Sequence, residues 1–265
     1  MKILLIGDIV GSPGRTAMAQ VATRWKAEHR ADYVIANAEN SAGGRGLTPP
    51  LADELFAAGA DVLTMGDHVW DQRESPALYN REPRVIRPLN LPPGCAGHGW
   101  TTISTPTGPI YVVQLLGRTF IQVPSDCPFR AIDDWLRKVP APGRPIIVDF
   151  HAEATSEKIA MAHYLDGRVA ALVGTHTHVQ TADEAIWPKG TAYITDLGMT
   201  GPCDSVIGRT TETILTRFIT GMATRFEIAT DDVRLHGALV TLDDTTLRPV
   251  KIKRVEEILS PPRHP

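Results

Sequence analysis

Gly174-Thr175-His176-Thr177-His178 follows directly on the apolar run Val169-Ala170-Ala171-Leu172-Val173. A short, continuous apolar run of this kind is a buried strand of an α/β sheet. The glycine lets the chain turn tightly, and imidazoles at i and i+2 share one face if the extended geometry persists. Loops beyond the carboxyl ends of such strands are where α/β sheets keep their ligand sites. Two neutral imidazoles on one face form a metal-binding arrangement. Taken alone, the pair also reads as two exposed loop histidines.

Four earlier apolar runs end in the same manner. Residues 2–6 lead to Gly7-Asp8, residues 33–36 to Glu39-Asn40, residues 61–64 to Gly66-Asp67-His68, and residues 145–150 to His151. A single titratable residue at a strand end is often a cap or turn residue. Five such ends in succession, all carboxylate, amide or imidazole, go beyond turn chemistry. In one parallel sheet they lie on one edge and converge.

Between these runs the spacing predicts helices over residues 13–28, 49–58, 131–138 and 156–165, and a hairpin over 101–105 and 110–115. Residues 41–46 form a glycine-rich loop without the lysine of a phosphate-binding P-loop. Residues 81–99, rich in proline and glycine, read as irregular. After His178 the runs 185–187, 192–195, 226–229 and 235–242 read as strands, with one helix at 212–219 and a tight turn at 198–202. Alternating β and α followed by mostly antiparallel β fits one domain, residues 1–265, of two packed sheets with helices outside.

Composition narrows the function. A net charge of −3 gives no general attraction to duplex nucleic acid or acidic membranes. No stretch approaches the roughly 20 apolar residues of a membrane span. The apolar start of the chain is interrupted by Asp8 and lacks a cleavage site, so it is not a signal peptide. Cys95, Cys127 and Cys203 are far apart and odd in number. They point to a reducing cytoplasm rather than a disulfide framework.

Oxygen and imidazole donors without thiolate suit Mn, Fe, Co, Ni or Zn. There are too many here for one ion with open positions, and Glu39 can bridge two ions. A pair of metals roughly 3.5–4 Å apart is the usual clamp for in-line displacement at phosphorus.

In this order, with Gly-Asp-His and Gly-Thr-His-Thr-His among them, the motifs resemble the calcineurin-like metallophosphoesterase superfamily. The stretches GDIVGSPGR (7–15), NAENSAGGRG (37–46), FHAEATSEK (150–158) and GTHTHVQTAD (174–183) resemble the bacterial YmdB-like phosphodiesterases within it. The resemblance covers nearly the whole chain. It implies a four-layer α/β/β/α sandwich with a dinuclear centre, iron first, with Mn, Zn or other divalent ions as substitutes. It implies hydrolysis of cyclic nucleotide phosphodiesters, 2′,3′-cyclic ones first, by a hydroxide bridging the two ions.

Carried over, Asp8 and His178 hold the first ion, Glu39 bridges, and Asp67, His151 and His176 hold the second. His68 protonates the leaving oxygen. Two positions depart from the pattern. Val10 stands where the wider superfamily has a histidine, and Asn40 supplies an oxygen instead. Asp67 stands where most relatives have asparagine, which adds a negative charge beside the second ion.

The rivals are a phosphomonoesterase of the same fold and a nucleotide- or metal-sensing regulatory module without turnover. The implied partner is a small phosphodiester, and a homo-oligomer is compatible with the sequence. Arg45, Arg73 and Arg87 are candidates for the substrate phosphate, each also readable as a solvated surface charge. His98, His163 and His236 read as surface or structural histidines.

Overall fold

In β1 (Lys2–Ile6), Ile3 and Leu5 enter one apolar core while Leu4 and Ile6 enter another. This is the period of two expected of a strand covered on both faces. The structure is a computed structural model that describes residues 1–259. The chain continues through β2 (Asp8–Ile9), α1 (Gly11–Ala27), β3 (Tyr33–Asn37), α2 (Pro49–Ala57), β4 (Val62–Thr64), α3 (Ser75–Arg81) and β5 (Val85–Ile86). Next come β6 (Trp100–Ile103), β7 (Ile110–Leu116), α4 (Pro128–Leu136), β8 (Ile146–His151), α5 (Thr155–Leu165) and β9 (Ala171–Thr175). The remaining elements are β10 (Ala185–Ile186), β11 (Ala192–Ile194), β12 (Met199–Pro202), α6 (Thr211–Thr220), β13 (Val233–Leu242) and β14 (Pro249–Ile258).

Two sheets result. The first has the order β2-β12-β13-β1-β3-β4-β5, with β14 paired to β13, and the second has the order β10-β11-β9-β8-β7-β6. Within them β1-β3-β4-β5 are mutually parallel, as are β7-β8-β9-β11. Ile3, Leu5 and Ile35 of the first sheet meet Val112, Ile147 and Val173 of the second in a middle core. Outside the first sheet, Met18, Val21 and Trp25 of α1 and Leu55 of α2 pack on Leu4 and Ile6. Outside the second, Ile132 and Trp135 of α4 and Met161 and Leu165 of α5 pack on Val113, Val148 and Phe150. Three apolar cores separate four layers, the α/β/β/α sandwich expected.

Local readings differ from the structure where pairing partners lie far off in the chain. The expected tight turn at 198–202 contains strand β12, which pairs with both β2 and β13. The expected strand at 226–229 is reduced to a single bridge between Ile228 and Arg209. The segment 81–99 contains the short strand β5, and helix α3 precedes it. β14 is a fully formed strand, although half of its sequence, Pro-Val-Lys-Ile-Lys-Arg-Val-Glu-Glu-Ile, is charged and exposed residues lie on both of its faces. No helix among the described residues is long and apolar enough to cross a membrane.

The sheets are closely built at Gly174 in β9, where an added β-carbon would overlap the Thr195 carbonyl oxygen. Gly174→Ala should therefore force β9 and the end of β11 apart and cost about 1–3 kcal/mol. Urea unfolding of the metal-free variant checks this, and an unchanged midpoint would show that the backbone yields freely.

Candidate metal centre

Stacking through the middle core brings the carboxyl ends of both parallel strand sets to one place. The five ends therefore converge across two sheets and not along one edge, as a single-sheet reading expects. Asp8, Glu39 with Asn40, and Asp67 with His68 follow β1, β3 and β4 of the first sheet. His151 ends β8, and His176 follows β9, in the second.

Glu39, Asp67, His151 and His176 each direct one nitrogen or oxygen into a group whose atoms all lie within 4.8 Å of one another. His151 Nε2 is its hub. It lies 3.2 Å from Glu39 Oε1, 3.0 Å from Asp67 Oδ1 and 3.0 Å from His176 Nδ1. One N–H cannot serve three partners at once, whereas a cation among them can. Tetrahedral bonds of about 2.0–2.2 Å place ligand atoms roughly 3.3–3.6 Å apart, close to this spacing.

Beside this group, His178 Nε2 lies 3.3 Å from Asn40 Oδ1. Asp8 is fully buried, and its Oδ1 has no hydrogen-bond partner. A buried carboxylate oxygen without a hydrogen-bond partner, 3.9 Å from His151 Nδ1, calls for positive charge, and a cation nearby would meet that need. Val10 is buried and takes no part. A β-carbon on Gly208 would lie 2.7 Å from Val10 Cγ1, so the valine fills the space beneath that glycine.

The electrostatics agree with the donor set. Burial opposes charge on His151, yet Glu39, Asp67 and Asp8 outweigh it and push its pKa well above the usual imidazole value. Burial would likewise raise Asp67, but hydrogen bonds with His151 and His176 hold its carboxyl well below the usual range. The site thus draws positive charge to the position of the His151 ring.

Three features escape the motif reading. The first is a buried relay. Thr175 Oγ1 donates to Asp149 Oδ1 at 2.7 Å and lies 2.9 Å from His151 Nδ1. With its single proton committed to Asp149, Thr175 accepts from Nδ1–H, which leaves Nε2 facing the group, where a cation would take the place of its proton. Thr64 and Asn37 complete the shell of Asp149. Its signal in the sequence is a lone charge inside the apolar strand Ile146-Ile147-Val148-Asp149-Phe150.

The second feature is the conformation of the histidine loop. β9 ends at Thr175, and His176 and His178 have φ of 102° and 65°. Both are left-handed, at about 1–3 kcal/mol each. The two rings therefore do not share one face: His176 joins the group of four while His178 turns to Asn40. Thr177 between them donates its N–H and Oγ1–H to Asp196 Oδ2, at 3.2 and 2.7 Å. Lys158 Nζ holds that carboxylate at 2.6 Å, with both side chains only 1% exposed.

The third feature is the wall of the cavity over the site. Its volume is about 330 Å³, and His68, Glu153 and Arg209 line it together with Glu39, Asn40 and the two loop histidines. His68 donates its backbone N–H to Glu39 at 3.2 Å, and its Nδ1 lies 3.0 Å from Asp71. Glu153 Oε2 is 3.1 Å from His176 Nε2. Of the arginines singled out in the sequence, Arg45 pairs with Asp71 at 3.2 Å. Arg87 hydrogen-bonds the Ala96 and Pro88 carbonyls beside a different cleft, and Arg73 lies exposed outside the cavity lining. His98 is exposed, His163 stacks edge-on to Trp187, and His236 lies beside Glu256.

Two stacked sheets with helices outside, and acidic and imidazole donors at the joined strand ends, define the metallophosphoesterase class. The family model described as YmdB-like protein matches residues 4–255, and the chain belongs to that family. It is similar to the 2′,3′-cyclic-nucleotide 2′-phosphodiesterase of Bacillus subtilis (strain 168), with 46% identity over 96% of each chain. A solved hypothetical protein from Thermus thermophilus shares 43% identity over 97% of this chain and 99% of that one, with a TM-score of 0.91. A solved Mycoplasma pneumoniae structure described as a novel phosphatase shares 35% identity over 99% and 95%, with a TM-score of 0.92. Membership of this family makes the chain a hydrolase of the metallophosphoesterase class.

Two outcomes follow from the supporting residues. Thr177→Val, which removes the hydroxyl clamp at constant shape, should weaken metal binding by about 10–100-fold, and Thr177→Ser should restore it. Competition with a chromophoric chelator measures both, and equal affinity in the valine variant would refute the clamp. The other outcome concerns pH. Burial raises the Asp149 carboxyl from 3.8 to about 6, against the donors Thr64 and Thr175. The folded state therefore binds the proton more tightly than the unfolded chain. This stabilisation is complete below the unfolded value and is lost as pH rises through the folded one, at most about 3 kcal/mol. Asp149→Asn should gain on wild type by up to that amount between about pH 4 and about pH 7. Urea unfolding of both metal-free proteins checks the sign, and parallel pH curves would remove the assignment.

Proposed function

We propose that the protein is a dinuclear phosphodiesterase of the cytoplasm, with 2′,3′-cyclic nucleotides as its first substrates. The observation that carries the reading is the His151 Nε2 hub, with the orphaned Asp8 oxygen 3.9 Å from Nδ1 of the same ring. The sequence kinship with the Bacillus subtilis enzyme supports the choice of substrate. In this reading Asp8, Asn40 and His178 hold one ion, Asp67, His151 and His176 hold the other, and Glu39 lies between them. Iron is the first choice of metal. Bound there, the ions would acidify water toward a pKa of about 7 and neutralise charge on the phosphoryl oxygens.

The chain's own residues supply the rest. Asp71 accepts from His68 Nδ1–H, which directs Nε2 into the cavity. A carboxylate at Nδ1 also balances the charge of the imidazolium that acts as the acid. From there His68 donates a proton to the departing oxygen. Glu39 accepts the His68 backbone N–H and so fixes the donor relative to the metal group. Glu153 steadies the outer edge of the His176 ring.

The test is a panel of 2′,3′-cyclic nucleotides, aryl diesters and phosphomonoesters assayed with the metal-loaded protein. Faster turnover of simple monoesters would favour the phosphatase reading, and no turnover at full metal content would favour a sensing module. His68→Ala should slow reactions with alkoxide leaving groups by about 10²–10⁴-fold and affect nitrophenyl leaving groups much less. An equal loss for both would remove His68 as the acid.

A further inference from the structure

Arg209 enters the wall of the cavity from the loop between β12 and α6, and neither motif nor spacing marks it. Its backbone is pinned, since Arg209 N donates to the Val206 carbonyl at 3.0 Å and Arg209 bridges to Ile228. Its guanidinium lies on the glycine-rich loop. Nη1 donates to the Gly43 carbonyl at 3.3 Å and Nη2 to the Gly44 carbonyl at 3.1 Å. This posture requires glycine at 44. The residue has φ of +90°, and a β-carbon there would lie 2.5 Å from Arg209 Nη2. The guanidinium carbon stands 5.8 Å from the centre of the Phe226 ring. The planar fork is thus fixed before any ligand arrives.

Its charge remains uncompensated. The guanidinium's hydrogen-bond partners are two carbonyls, and no carboxylate pairs with it among the described residues. Burial, with the like charge of Arg45 added, works against the cation and lowers its pKa. A guanidinium in this state gains most from an anion, and a fork with two nitrogens committed still presents N–H groups along its free edge. That edge belongs to the cavity containing Glu39, Asn40, His68, His176 and His178.

We propose that Arg209 is a substrate-binding residue that takes an anionic, non-bridging oxygen of the phosphoryl group at the mouth of the cavity. The proposal rests on the phosphoester-hydrolase reading of the site. It gives the glycine-rich loop a purpose that its sequence does not reveal. The loop does not cradle phosphate with its own amides; it presents carbonyls that hold an arginine for the phosphate. The contact is made in the bound ground state, so its loss appears chiefly in KM.

The probe is inorganic phosphate, titrated calorimetrically into metal-loaded protein, with KM for bis(4-nitrophenyl) phosphate measured in parallel. Arg209→Met should raise the phosphate Kd and the diester KM by about 10- to 100-fold. Arg209→Lys, with the charge but without the fork, should fall between. Metal per chain and melting temperature should match wild type. Unchanged phosphate affinity in Arg209→Met, or a wild type that binds no phosphate, overturns the proposal. So does metal loss in the variant, which would make Arg209 a brace for the Asn40 loop. Failure of the wild type on 2′,3′-cyclic nucleotides counts against the substrate reading alone, because the phosphate titration still reports on Arg209.

Discussion

Asp8, Glu39 and Asp149 are buried at the edge where the two sheets meet, with at most 4% of any of them exposed. Carboxylates taken out of water demand positive charge or donors close by. Here the three answer differently. Asp149 is enclosed by hydroxyls and an amide, Glu39 faces an imidazole and a backbone N–H, and one oxygen of Asp8 has no hydrogen-bond partner. The strand ends are thus arranged so that negative charge is only partly compensated from within. His151 and His176 meet Glu39 and Asp67 in one group, while His178 meets Asn40 beside it.

Much of this is visible in the sequence, for a local reason. A buried strand and the polar residue that ends it are neighbours in the chain, so Asp8, Glu39, Asp67, His151 and His176 show themselves by position. What depends on distant partners does not show. The strand β12 looks like a turn because its ladder is made with β2 and β13. The half-charged β14 looks like surface because its ladder is made with β13. Extended geometry through Gly174 predicts two histidines on one face, but the chain turns left-handed after Thr175 and sends them to different neighbours. Arg209 is invisible for the same reason, since it reaches a carbonyl 165 positions away.

The left-handed histidine loop shows how strain and support are divided. Its conformation is unfavourable in isolation, and the residue that holds it is Thr177, which carries no metal-binding chemistry. That threonine is held in turn by a buried ion pair on α5 and beyond β11. A buried pair is weak evidence of stability in itself. Its value here is positional, because it fixes one atom, Asp196 Oδ2, to which the loop is tied.

The place of β13 in the first sheet has a consequence for the order in which this enzyme is built. β13 lies between β12 and β1, and it pairs with every residue from Lys2 to Ile6. It is also drawn from residues 233–242, well after His178. A ribosome therefore releases every donor of the site before it releases the strand that fixes β1, and with it Asp8, in the sheet. Contacts of such long sequence separation form late. The nascent chain remains without a finished site until the middle of its first sheet has been delivered.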